Sequence, residues 1–202
     1  MSLRSLVTSI NSDATANAVV EKIENSFYTY PGGEQGYLTS WFDQDVRTRL
    51  FDGSVITGRN VVLSPRARLL KSALQRRHVS SGCVRFPPIR AYHITSSRQI
   101  AALIAKSGFR SGGGNYGDGA YFFGSSQAAE KYEAPLVGEA LPIILEVVIY
   151  SRVTTAAFPT GGDQLTFFFK PKDIYLVKNP LVIFPTAAFH RGEKFKNVGV
   201  DL

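Results

Sequence analysis

Several things are scarce in this chain, and each scarcity removes a class of protein. A single cysteine, Cys83, cannot form an internal disulfide framework or, by itself, a thiolate metal site, which points to a reducing compartment. The three histidines, His78, His93 and His190, lie far apart without the close pairing of a zinc site. No apolar run reaches the length needed to span a bilayer, and the N-terminal stretch has no apolar segment that reads as a signal peptide. The expectation is a soluble intracellular protein, cytoplasmic or nuclear, without membrane contact. Acidic residues are also absent from one long stretch. Between Gly53 and Gly117 there is no Asp or Glu, while eleven basic residues fall there: Arg59, Arg66, Arg68, Lys71, Arg76, Arg77, Arg85, Arg90, Arg98, Lys106 and Arg110. A block of this kind, residues 59–110, attracts RNA or another polyanion. The alternative is a solvated basic face with no specific partner.

What is present is ordinary for a folded protein. The 202 residues, 44% hydrophobic and 19% charged, suit one domain with a real core. Residues 1–80 read as a helical and irregular part and residues 81–202 as a β-richer core. A helix over 13–27 carries Val19, Val20, Ile23 and Phe27 at helical spacing. Residues 34–58 read as loop and short irregular elements around Trp41. A second helix, 65–78, opens on Ser64-Pro65 and has Leu69, Leu70, Ala73 and Leu74 as its apolar side. A strand over 84–94 is interrupted by Pro87-Pro88. Ser96 and Gln99 form a capping box for a helix that stops at Gly108. Further strands are predicted at 120–123, 141–150, 165–169 and 173–177, at least four in all, with a short helix capped by Ser125/Ser126. Helices between strands without regular βαβ spacing predict an α+β fold.

Gly112-Gly113-Gly114-Asn115-Tyr116-Gly117 spells G-x-G-x-x-G, but a helix precedes it and a strand follows, the reverse of the dinucleotide fingerprint. It reads instead as a flexible loop that admits close backbone approach. Around it runs an ordered series: Tyr92-His93-Ile94-Thr95 at a strand end, a helix closing on Gly108-Phe109, the glycine loop, Gly117-Asp118-Gly119-Ala120-Tyr121-Phe122, then a helix ending in Tyr132.

This series, over residues 89–184, resembles the poly(ADP-ribose) polymerase-like ADP-ribosyltransferases of the histidine–tyrosine type. The resemblance implies two packed, mostly antiparallel sheets with short flanking helices, and NAD as a substrate. It implies that His93 donates a hydrogen bond to a ribose hydroxyl and that the backbone of Ile94, followed by Thr95, grips the carboxamide. By the same resemblance Gly117 and Gly119 would belong to the cradle, and Tyr121 and Tyr132 would sandwich the nicotinamide ring, as aromatic faces suit a cationic heterocycle. Leu145-Glu146-Val147 also resembles the family's Gly-Glu-Val strand, which implies a structural role for Glu146. Cleavage of the nicotinamide–ribose bond passes through an oxocarbenium-like state that such groups would position and stabilise.

The chain departs from the pattern at three places. Ile94 replaces a glycine, and Ala129 stands where many relatives have serine. The third catalytic position, a glutamate in the family, falls on Gln164 or Leu165, and neither is a carboxylate. Gln164 can hydrogen-bond but cannot act as a base, which argues against chain elongation. Asp163 reads as a turn residue. The resulting expectation is a mono-ADP-ribosyltransferase with His93, Tyr121 and Gln164 as its catalytic set and a protein or nucleic-acid acceptor. Two alternatives stand beside it: a catalytically silent module of the same fold that binds protein or RNA through its basic surface, and a plain RNA-binding protein whose 65–90 segment tracks phosphates.

Overall fold

The computed structural model describes residues 3–29, 44–80, 88–110, 112, 114, 119–132, 142–151, 153–155, 166–169 and 172–192. The helices are α1 (Leu3–Thr8), α2 (Asp13–Thr29), α3 (Gln44–Phe51), α4 (Pro65–Ser80), α5 (Arg98–Ser107) and α6 (Ser126–Lys131). The strands are β1 (Val55–Thr57), β2 (Asn60–Val62), β3 (Ile89–Thr95), β4 (Ala120–Phe123), β5 (Ile143–Ile149), β6 (Val153–Thr155), β7 (Thr166–Phe169), β8 (Ile174–Val177) and β9 (Ile183–His190). The fold is α+β, as expected.

The strands hydrogen-bond in the order β1-β2-β9-β5-β3-β4-β8-β7-β6, antiparallel throughout except for the β6–β7 pair. Between β9 and β3 lies β5, whose seven residues are all buried and which pairs along its length with both. A near-continuous apolar run is what a strand covered on both faces requires. The sheet is almost divided in two: β3 and β4 share a single paired position, Tyr92↔Phe123. The two sheets implied by the sequence are therefore two halves of one hydrogen-bonded sheet, five strands and four, joined at that point.

Three local expectations are revised. Residues 44–51, read as irregular, form α3, and residues 55–62 form the β1–β2 hairpin. The cap of α5 is Ser97 rather than Ser96: Ser97 has extended backbone and its Oγ accepts from the Ile100 amide at 3.2 Å. With Ile100 three residues on, there is no capping box. More strands form than were counted, since β1, β2, β6 and β9 carried no recognised signal.

The helices of residues 3–80 belong to the same hydrophobic core as the sheet. Val19, Val20 and Ile23 of α2 are buried with Leu70, Ala73 and Leu74 of α4, and Arg76 of α4 pairs with Asp13 of α2 at 3.1 Å. From α3, Phe51 lies 6.2 Å from Phe184 on β9, which in turn packs against Tyr150 at 6.0 Å. Phe51 also explains why α5 ends as it does. Gly108 has φ +71, and a Cβ there would lie 2.8 Å from the Phe51 ring. Only glycine satisfies both the left-handed backbone and the close packing.

Candidate functional site

The division between β3 and β4 positions the first site residues. Side chains alternate along a strand, so the Tyr92↔Phe123 pair puts those two on one face and His93 with Phe122 on the other. The rings agree: His93 lies 5.6 Å from Phe122 and 5.2 Å, edge-on, from Phe109, which itself packs on Phe122 at 4.9 Å. Phe122 and Phe109 are buried, and His93 is half-buried between them. Where the strands part, His93 Nδ1 donates to the backbone oxygen of Tyr121 at 2.9 Å. A side chain thus closes a gap that the main-chain ladder leaves open.

This hydrogen bond fixes the chemistry of the imidazole. Burial pushes its pKa below the ordinary value, with the Tyr121 carbonyl acting weakly in the opposite direction, so the ring is neutral at pH 7. A neutral imidazole has one N–H, and the carbonyl, an acceptor only, takes it at Nδ1. Nε2 is left as an acceptor. A sugar hydroxyl would therefore donate to His93, the reverse of the direction the family resemblance implies.

The ring of Tyr121 lies on the other face, together with Phe123, and Tyr132 joins that face. Tyr132 follows α6, is 48% exposed, and sits 5.2 Å from Phe123. The fold therefore brings Tyr121 and Tyr132 to one face of β4, while His93 meets Tyr121 through its backbone. Of the glycine loop, Gly112, Gly114 and Gly119 are described, and Gly114 reaches this face. Gly112 and Gly119 exchange backbone hydrogen bonds at 2.9 and 3.1 Å, and a Cβ on Gly114 would lie 2.6 Å from the Tyr121 hydroxyl and ring. Gly114 is thus packed directly against the Tyr121 phenol. Gly119 is equally constrained, because a Cβ there would collide with Leu176.

Other predicted site residues have structural duties. Thr95 is buried and its hydroxyl donates to the Ser97 carbonyl at 3.0 Å, shaping the entry to α5. Ile94 is half-buried in β3 opposite Ile144. Ala129 is fully buried in α6. Gly117, Asp163 and Gln164 lie outside the described residues.

Glu146 is a structural residue, as expected, and its partners are now specific. It is buried in β5, accepts from Thr186 Oγ1 at 3.1 Å and faces Arg90 Nε at 3.9 Å. Tyr92 stands opposite Glu146 in the ladder. Burial and the Glu146 charge raise the Tyr92 phenol, with Arg90 opposing. Tyr92 opens the motif series without a role of its own in the sequence, and Thr186 carries no sequence signal. The cross-strand position of Tyr92 becomes visible only once the register is known.

No protein-family model and no curated protein sequence matches the chain. Among solved structures it is similar to one described as the crystal structure of the TASOR pseudo-PARP domain. The identity is 12%, the TM-score 0.48, and the match covers 80% of this chain and 96% of that one.

Proposed function

We propose that this chain is a non-catalytic module of the ADP-ribosyltransferase-like fold that binds protein or RNA through the basic residues of 59–110. The observation that carries this reading is the packing of Gly114 against the hydroxyl end of Tyr121, so that the chain's own backbone already contacts the ring that the resemblance assigns to a nicotinamide. The sequence supports it, because Gln164 and Leu165 offer no carboxylate at the third catalytic position. So does the distribution of charge: Arg59, Arg68, Arg76, Arg77, Arg98, Lys106 and Arg110 are all exposed. Incubation with labelled NAD should give neither released nicotinamide nor labelled product, and calorimetry should detect no NAD binding. RNA binding, if that is the partner, should weaken steeply with salt. Turnover of NAD that disappears in a His93→Ala, Tyr121→Ala double variant would overturn this reading.

That outcome would support the second reading, mono-ADP-ribosyl transfer from NAD to a protein or nucleic-acid acceptor. One observation favours it: His93 keeps Nε2 as an acceptor of fixed orientation, suited to holding a ribose hydroxyl.

A further inference from the structure

Five large apolar side chains stand exposed among the described residues, and four of them come from two elements: Val55 and Val62 from the β1–β2 hairpin, Ile100 and Leu103 from α5. The two elements touch, since α5 packs against β1. Exposed apolar side chains scattered singly need no explanation, but their gathering on adjoining elements does. On the hairpin, Val55 and Val62 stand directly opposite one another across the strands and so share one face. On α5, Ile100 and Leu103 are three residues apart and share the outward side of the helix, while Ala101 and Ala105 are buried beneath.

Between the two elements lies a cavity of about 600 Å³. The small Ala101 and Ala102 of α5 leave this space, Val55 and Ile56 bound it on the hairpin side, and Ile143 and Phe189 bound it from β5 and β9. Both walls are tied to β9. The Ala188 amide donates to the Arg59 carbonyl at 2.7 Å and fastens the hairpin turn; Arg98 Nη2 donates to His190 Nε2 at 2.8 Å and fastens the start of α5. Lys106 lines the same cavity and lies one turn from Leu103. It is exposed, as is Arg110 just beyond the helix. Arg59 and Arg98 also line the cavity but already have partners within the chain, so the charge offered outward is that of Lys106 and Arg110. No Asp or Glu occurs between Gly53 and Gly117, and neither element carries a negative charge of its own.

We propose that the groove between α5 and the β1–β2 hairpin docks an acidic, amphipathic segment of a partner protein, which rests on the module reading above and names the chemistry of its partner. An apolar anchor of that segment enters the cavity, where Ala101 and Ala102 leave room for a side chain of aromatic size. A second apolar side chain covers Leu103, and a carboxylate meets Lys106. An apolar centre with a charged rim is the usual anatomy of a protein interface, and a large side chain seated in a pocket supplies much of the affinity. Charge sets the sign of the partner, because opposite charge speeds encounter and like charge rejects. Nucleic acid suits the surface less well. Single strands gain affinity by stacking bases on aromatic rings, and among the described residues of 59–110 no aromatic is exposed: Tyr92 is half-buried and Phe109 buried.

The test is fluorescence anisotropy of the full chain with a labelled synthetic peptide that carries Leu and Phe at every third or fourth position and Glu between them. Beside it run the same peptide with Lys in place of Glu and a labelled oligouridylate. The Glu peptide should bind and the Lys peptide should not. Leu103→Glu, Lys106→Glu and Ala102→Leu, the last of which fills the cavity, should each weaken the Glu peptide by about tenfold or more, with unchanged circular dichroism spectra. Arg68→Glu, on α4, should leave binding intact. The proposal is overturned by a wild-type chain that does not bind the Glu peptide, or that binds both peptides alike. It is equally overturned by binding that Leu103→Glu and Ala102→Leu both spare. Oligouridylate binding that Lys106→Glu weakens and Leu103→Glu spares would assign this face to nucleic acid instead. Labelled NAD in the same samples separates the two readings. Released nicotinamide overturns the module reading whether or not the peptide binds, and absent peptide binding without it overturns the docking groove alone.

Discussion

The junction of β3 and β4 and the cavity beside α5 are both built from polar residues that the sequence makes conspicuous, yet their polar groups are occupied differently. At the junction the groups are used within the chain. The His93 Nδ1–H goes to the Tyr121 carbonyl, the Thr95 hydroxyl to Ser97, and the Tyr121 phenol packs against Gly114. In the cavity between α5 and the β1–β2 hairpin, Arg59, Arg98 and Lys106 line the wall with His190, whose Nδ1 is buried without a hydrogen-bond partner. Polar groups that close a sheet stabilise it, whereas a buried ring nitrogen without a partner does not. The residues that most resemble a catalytic motif thus act here as fasteners, and those belonging to an undifferentiated basic block form a pocket.

The sharpest way to break this contrast is to ask what each region contributes to stability. Phe122 is 1% exposed and packs against both His93 and Phe109. Phe122→Ala should cost about 3–5 kcal/mol in urea denaturation. Arg98→Ala, at the exposed start of α5, should stay within about 0.5 kcal/mol of wild type. Similar costs at the two positions would remove the distinction between fastener and pocket.

The pH dependence of stability sharpens the same point. Burial lowers the folded-state pKa of His93 below the ordinary 6.5. Above that value both folded and unfolded chains hold the ring neutral, and its contribution is complete. As the pH falls below 6.5 the unfolded chain takes up the proton first, so stability is lost progressively toward the lower folded-state pKa. His93→Gln keeps an N–H for the Tyr121 carbonyl but does not titrate. Urea midpoints at about pH 7.5 and pH 5 should therefore draw closer together in the variant than in wild type. An identical pH response in the two proteins would mean that His93 is not held neutral by the fold.

How much of this was legible in the sequence depends on how local the signal is. The helices α2, α4 and α5 and the strand β5 were readable because each carries its own apolar period or run. In contrast, α3 buries Val46, Leu50 and Phe51 in only eight residues, diluted by Asp45, Arg47 and Arg49. Nor does β9 read as a strand, because Pro185 sits inside it. The structure accommodates that proline beside an irregularity. Glu146 pairs with Ala187 and Val147 with Pro185, so Thr186 is the extra residue, and its hydroxyl turns to Glu146. Strands of three residues such as β1 and β2 carry too little pattern to detect. At the candidate site the order of the motif was legible, but the partners of its polar groups depend on strand register and on contacts distant in sequence. The spacing of Arg98, Ala102 and Lys106 was in plain view. Only the return of β9, which brings His190 to Arg98, gives it meaning.

The smallest expected effect ties the two regions together through Ser97. Its backbone oxygen accepts from Thr95, whose strand β3 also carries His93. Its side chain caps α5, which carries Arg98 and Lys106 to the cavity. Ser97→Ala removes the cap alone, because the backbone acceptor for Thr95 remains. The expected cost is about 1 kcal/mol, with Ser97→Gly costing less because glycine tolerates the cap backbone. Fraying of the first turn of α5 should also release Arg98 from His190, read as a shift of the His190 ring resonances in NMR. Loss of stability with unchanged His190 resonances would mean that Arg98 is held by its neighbours rather than by its helix. The cavity would then be a property of β9 and the hairpin, with α5 only its wall.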